Sequence, residues 1–296
     1  MPQVHVNGIH LEYESFGDTR DPVMLLIMGL GAQLTRWTIP FCEKLVARGY
    51  RVIRFDNRDV GLSSKFDAAG VPDLGQIMAA RFTGVQAKLP YTLHDMAADA
   101  VGLLDALAIA KAHVVGASMG GMIAQQVAAE YPERVLSLTS IMSTTGNPAL
   151  PPPTAAAASV LMSRYPNLDD HAAYVEHGLH ALRTISSPGF PFDETATRER
   201  ILSDALRGYS ATGFGRQLAA LAASGDRRNH LRSIKAPTMI IHGENDPLVP
   251  VAAGRDTAAA IPGAELRVFA GMGHDLPAAL YDKIIDAIVS VAARAS

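Results

Sequence analysis

Apolar and polar residues alternate on both sides of Asn7-Gly8 in VHVNGIHLEY, which predicts a hairpin with a tight primed turn. PVMLLIMG follows as an unbroken apolar run ending in glycines, the mark of a strand buried on both faces. TRWTIPFCEKLVARG has a helical pattern closed by Gly49 at the C′ position, and RVIRFD reads as another strand. The clearest helix is YTLHDMAADAVGLLDALAI. Thr92 and Asp95 form a variant capping box there, and Leu93, Met96, Val101, Leu104 and Leu107 recur at helical spacing. AHVVGAS is a strand, MGGMIAQQVAAEYPE a helix stopped at Pro132, and VLSLTSIM, TMIIHGEND and LRVFAG are further strands. LPAALYDKIIDAIVSVAAR closes the chain as a helix.

A leading hairpin followed by alternating strands and helices predicts a mostly parallel sheet covered on both faces. The rhythm breaks between about 143 and 235. Pro148, Pro151, Pro152 and Pro153 precede an alanine-rich, mostly helical stretch there, and the strand pattern resumes at Thr238. This predicts a core domain over 1–144 and 233–296, interrupted by a helical lid over 145–232. The 296 residues, with 48% hydrophobic and 19% charged, suit one large core with such an insertion. A formal charge of −3 gives no pull toward nucleic acid or an anionic membrane, and no apolar run reaches the ~18 residues a spanning helix needs. Cys42 is the single cysteine, so no intrachain disulfide framework is possible. The start lacks both a basic leader and an apolar signal core, and a soluble, cytoplasmic protein is the expectation.

Candidate chemistry centres on GASMGG. Gly116, Ser118 and Gly120 match G-x-S-x-G, and the serine falls directly after a strand and before a helix, the setting of a nucleophile elbow. A sharp turn there lifts Oγ out of the backbone. Side chains two residues to either side would collide, and Gly116 and Gly120 remove them, while Gly121 and Ala124 let the helix pack close. The helix N-terminus offers the Met119 N–H to a developing oxyanion.

A serine hydroxyl needs a base, and the base an orienting acid. Of ten histidines, His274 sits past the last strand, at the start of the closing helix, on the edge where parallel strands end. His113 and His242 lie in or beside strands and read as core residues. His171, His177 and His180 fall in the insertion without a supporting carboxylate or cysteine cluster, so no metal site is expected. The acid should follow a strand between serine and histidine. Asp246 in IIHGENDPLVP fits, with Glu244 as its rival. IMGLGAQLTRW supplies the second oxyanion donor, best from the Leu30 N–H, with glycines on either side for close approach.

MGLG, DNRDVGLS, GASMGG and GMGH, with Ser118, Asp246 and His274 in that order, together resemble the α/β-hydrolase superfamily over essentially the whole chain. Asp59 stands where DNRDVGLS would usually carry glycine, and Met28 where many members have histidine. With GMGHDLP, these variants are similar to the anthracycline methyl esterase group, such as aclacinomycin methylesterases. The resemblance implies Ser118 as nucleophile, His274 as base and then acid, Asp246 as orienter, Leu30 and Met119 N–H as oxyanion donors, and a lid over the pocket.

The expected fold is an eight-stranded α/β-hydrolase sheet flanked by helices. The expected reaction is hydrolysis of an apolar carboxylic ester through an acyl-serine, without metal or organic cofactor. Met28, Met142 and Met162 are the candidate pocket residues, offering an adaptable apolar surface to a small-molecule ester. Thioester or lactone hydrolysis and cofactor-free perhydrolysis would use the same groups. A non-catalytic binding protein on the same fold is the alternative of another class.

Overall fold

The computed structural model describes residues 2–83, 88–163 and 165–295, so positions 84–87 of the expected core and 164 of the expected insertion lie outside it. The leading hairpin pairs β1 (Gln3–Val6) with β2 (Ile9–Phe16). Asn7 and Gly8 both have positive φ, 48° and 77°, as a primed turn requires. β3 (Val23–Ile27) and β4 (Arg51–Phe55) follow, then β5 (Ala112–Ala117), β6 (Val135–Ile141), β7 (Thr238–Gly243) and β8 (Glu265–Phe269). The strand order is β1-β2-β4-β3-β5-β6-β7-β8, antiparallel across β1, β2 and β4 and parallel from β4 to β8.

The unbroken apolar run of β3 is explained by its two faces. Val23, Leu25 and Ile27 enter one hydrophobic cluster, with α3 (Leu93–Ala106) and α4 (Met119–Glu130). Met24, Leu26 and Met28 enter the other, with α1 (Ile39–Val46) and α11 (Tyr281–Ala292). All five residues of β3 are buried, and each large apolar side chain taken from water contributes roughly 1.5–3 kcal/mol, so both faces must be covered.

Two helix starts differ from the sequence pattern. α1 begins only at Ile39, preceded by a 3-10 turn at Leu34–Arg36, because Pro40 has no N–H to donate and fits only the first turn. Thr38 caps it, accepting from Phe41 N–H. The closing helix begins at Tyr281 after a 3-10 turn at Ala278–Leu280, so His274 stands in the β8–α11 loop rather than at a helix start. α2 (Leu74–Thr83) and α10 (Val251–Ala260) complete the helices outside the insertion.

Between β6 and β7 run α5 (Ala155–Met162), α6 (His171–Ile185), α7 (Glu194–Gly208), α8 (Ala211–Ala223) and the short α9 (Arg228–Leu231). Thr154, Asp170, Asp193 and Ser210 cap the first four, each side chain accepting a first-turn N–H. These helices carry a small core of their own around Tyr174, Leu179, Ile201 and Ala205, with Tyr165 and Tyr209 packed against it. Among the described residues, no helix is long and apolar enough to cross a membrane.

Candidate active site

The parallel strands end at one edge of the sheet, and three loops from that edge converge. His274 Nε2 lies 3.0 Å from Ser118 Oγ, and His274 Nδ1 lies 2.7 Å from Asp246 Oδ2. The other Asp246 oxygen accepts from the Leu248 and Val249 N–H groups at 2.9 and 2.8 Å, which fixes the carboxylate plane. Because Nδ1 faces a carboxylate, it carries the ring proton and Nε2 is left as an acceptor for the serine hydroxyl. Glu244 is exposed in the same loop. His113 bonds Ser137 Oγ at 2.8 Å inside the sheet, and burial lowers its pKa to about 4. His242, also buried, lies 2.7 Å (Nε2) from the Val249 carbonyl oxygen and does not reach the serine. His177 Nε2 lies 3.0 Å from Ser163 Oγ within the insertion.

Ser118 sits at φ 57° and ψ −123°, a conformation costly for a residue with a side chain. The neighbouring glycines show what holds it there. A Cβ on Gly116 would stand 2.1 Å from the Gly120 carbonyl oxygen, and one on Gly120 would stand 2.1 Å from that of Ile27. At Gly121 a Cβ would meet the Ser143 Cβ at 2.6 Å, so this glycine seats α4 on the β6 end of the sheet. Gly29 lies directly on the serine: its added Cβ would be 3.0 Å from Ser118 Cβ. Among the described residues, neither the Leu30 nor the Met119 N–H has an intramolecular acceptor.

Comparison with known proteins shows the family. Residues 22–277 match the family model described as the alpha/beta hydrolase fold. The chain belongs to the α/β-hydrolase family. Two rhodomycin D methylesterases are among its relatives. The one from Streptomyces sp. (strain C5) is 30% identical, with 93% of this chain and 92% of that protein covered. The one from Streptomyces peucetius has the same identity and coverage. Among solved structures, the meta-cleavage product hydrolase from Pseudomonas fluorescens IP01 superposes with a TM-score of 0.74 at 20% identity, over 100% of this chain and 98% of that one, a likeness of fold.

In this α/β-hydrolase a chamber of about 690 Å³ opens between the sheet edge and the insertion. It meets the site along Leu30, Gly31 and Leu248 rather than at Ser118, and its far wall carries Tyr165, Tyr174 and Tyr209. Of the three methionines expected to line a pocket, Met162 does so. Met28 and Met142 are instead packed in the core cluster on the α1–α11 face: the alternation of β3 carries Met28 there, and Met142 joins Ile141 in the same cluster where the chain leaves β6 at φ 43°.

The sequence did not single out the polar side chains that tie the insertion to the site. Arg216 of α8 makes a paired contact with Asp59, both side chains fully buried. Asp59 has φ 71°, which explains why glycine is the usual occupant and what the aspartate adds. Burial would raise its pKa, but Arg216, the Tyr91 hydroxyl and the Phe66 N–H outweigh that and hold it low. Arg207 of α7 reaches Asp56 at 2.6 Å. Ser187, just beyond α6, accepts the Gly273 N–H at 2.8 Å and donates to Asp275, while the Ile185 carbonyl accepts the His274 N–H at 2.8 Å. The departure from glycine at Asp59 was the one sequence signal of these contacts.

Proposed function

We propose that this chain hydrolyses carboxylic esters through an acyl-Ser118 intermediate, and that methyl esters of bulky, mainly apolar acids are its substrate class. The observation that carries the reaction is the Ser118–His274–Asp246 chain of contacts at 3.0 and 2.7 Å. His274 Nε2 takes the Oγ proton as Oγ attacks the ester carbonyl. Asp246 holds the ring and stabilises the imidazolium that forms. The Leu30 and Met119 N–H groups receive the negative charge on the carbonyl oxygen. Collapse of the tetrahedral intermediate breaks the bond to the alcohol, which leaves with the proton held by His274. Water then attacks the acyl-serine, gives one proton to His274, and releases the acid as that proton returns to Oγ.

Two features support the substrate class. The 690 Å³ chamber is large enough for a polycyclic acyl group and is walled mainly by apolar and aromatic side chains. The relatives include proteins named for methyl ester cleavage. The insertion over 145–232 acts as a lid on this chamber, and the enzyme works in the cytoplasm.

A fluorophosphonate probe should label the folded protein at Ser118 and fail on Ser118→Ala. A p-nitrophenyl ester chain-length series, run beside methyl esters of bulky aromatic acids, then tests the substrate class. Labelling that survives Ser118→Ala would reject the nucleophile, and equal kcat/KM across all esters would reject the methyl esterase reading.

A further inference from the structure

In the acyl-serine reading the loop after β3 offers the Leu30 N–H to the substrate oxygen, and three contacts set its course. The Asn57 side-chain amide donates to the Met28 carbonyl at 2.9 Å, and the Ala32 N–H donates to the Gly29 carbonyl at 3.2 Å. The third comes from the insertion: Gly31 N–H donates to Gln217 Oε1 of α8 at 2.8 Å. Gln217 is fully buried, and its own amide donates to the Arg58 carbonyl at 2.8 Å. One side chain therefore ties α8 to two loops of the sheet edge, with both ends of its amide used. Its orientation is fixed by those partners, since reversing the amide would set a donor against the Gly31 N–H and an acceptor against a carbonyl.

Gly31 has φ 65°, and the Phe214 ring of α8 occupies the space a Cβ would need, at 2.6 Å. The Leu30 Cα is thus flanked by one peptide held from Gln217 and another whose carbonyl, that of Gly29, accepts the Ala32 N–H. Without the Gln217 contact, the Leu30–Gly31 peptide loses its acceptor and can turn about its flanking bonds. The Leu30 N–H, fixed only from one side, would then lose its aim at the substrate oxygen. Preorganisation of such donors is what makes an oxyanion hole effective.

We infer that Gln217 is a positioning residue of the oxyanion hole, so that the insertion completes the catalytic geometry as well as enclosing the chamber. This rests on the acyl-serine reading above. Gln217 touches no reacting atom and acts through Gly31 on the Leu30 N–H.

Two variants test it, with turnover of p-nitrophenyl butyrate and inhibition by phenylboronic acid, whose tetrahedral adduct puts a boron-bound oxygen in the hole. Gln217→Met fills the same space without an acceptor for Gly31. It should lower kcat by about tenfold with KM within about twofold, and weaken boronate inhibition by the same factor as kcat. Gln217→Glu keeps the acceptor toward Gly31 and loses the donor toward Arg58. It should return both quantities to within about threefold of the parent.

A folded Gln217→Met variant with parental kcat, or one whose kcat falls while boronate affinity holds, overturns the inference. Should that variant fail to fold, Gln217→Glu decides. Near-parental boronate affinity supports the positioning role, and about a tenfold loss rejects it. Turnover that survives Ser118→Ala would sink the acyl-serine reading and this inference with it, whereas Ser118-dependent turnover indifferent to Gln217 sinks the inference alone.

Discussion

The sheet edge and the helical insertion both contribute to one site, but by different physical means. The edge holds its groups through backbone geometry: Ser118 in a strained elbow between two glycines, Asp246 locked by two N–H groups, and His274 in the loop after β8. The insertion supplies none of those three groups. It reaches the site through side chains that grip the edge loops: Arg216 on Asp59, Arg207 on Asp56, Ser187 on Gly273 and Gln217 on Gly31. Loss of an edge group should therefore abolish chemistry in a folded protein. Loss of an insertion contact should instead loosen the assembly or detune the chemistry.

The largest effect should come from the edge. His274→Ala is expected to lower kcat for any ester by at least about 10⁴-fold, with Tm within a few degrees of the parent. Steady-state kinetics and a thermal melt on the same preparation check both halves, and retained turnover would mean that another base serves Ser118. Breaking the insertion should show the opposite profile. Arg216→Met leaves the Asp59 carboxylate buried without its cation, and should destabilise the fold by about 3–5 kcal/mol in urea titration. Adding Asp59→Gly removes the stranded charge and suits a backbone at φ 71°, so the double variant should recover much of that loss. A double variant less stable than Arg216→Met would contradict this account of the pair.

Ser187→Ala sharpens the comparison, because Ser187 belongs to the insertion yet holds the histidine's loop. It removes the acceptor for the Gly273 N–H and the donor to Asp275, a carboxyl whose pKa burial raises. An approximately 3–10-fold fall in kcat is expected, with KM little changed, since a small misplacement of a catalytic group is enough to slow the reaction. An unchanged kcat would mean that the Ile185 carbonyl alone positions the loop.

The smallest effect concerns acid stability in the sheet interior. His113 is neutral in the fold, with its pKa lowered from 6.5 to about 4 by burial. Between those values the unfolded chain binds a proton that the folded one does not, so this residue's contribution falls as pH drops from 6.5 toward 4. His113→Gln should flatten the decline of Tm over that window and leave kcat at pH 7.5 unchanged. A parallel decline in both proteins would place the acid sensitivity elsewhere.

Much of the edge was legible because its signals are local. Two glycines around a serine between a strand and a helix leave few backbone paths, and alternation about Asn7-Gly8 admits a hairpin and little else. The capping box of Thr92 and Asp95 is read from four residues and is present in the structure. Proline and backbone direction account for the departures: Pro40 delays α1, the pleat of β3 turns Met28 into the core, and a positive φ just past β6 turns Met142 there. α2 and α10 have weak amphipathic patterns, and their positions follow from packing on α8 and on β7 and β8.

The sequence by itself determined the core strands in their chain order and the strand–turn–helix elbow at Ser118, because each depends on backbone preferences within a few residues. Only the tertiary structure decided which insertion side chains meet which loops. Arg216 and Asp59 are 157 residues apart, and Gln217 and Gly31 are 186 apart. No local periodicity encodes such pairs, because they exist only once the insertion has packed on the sheet edge and water has been excluded between them.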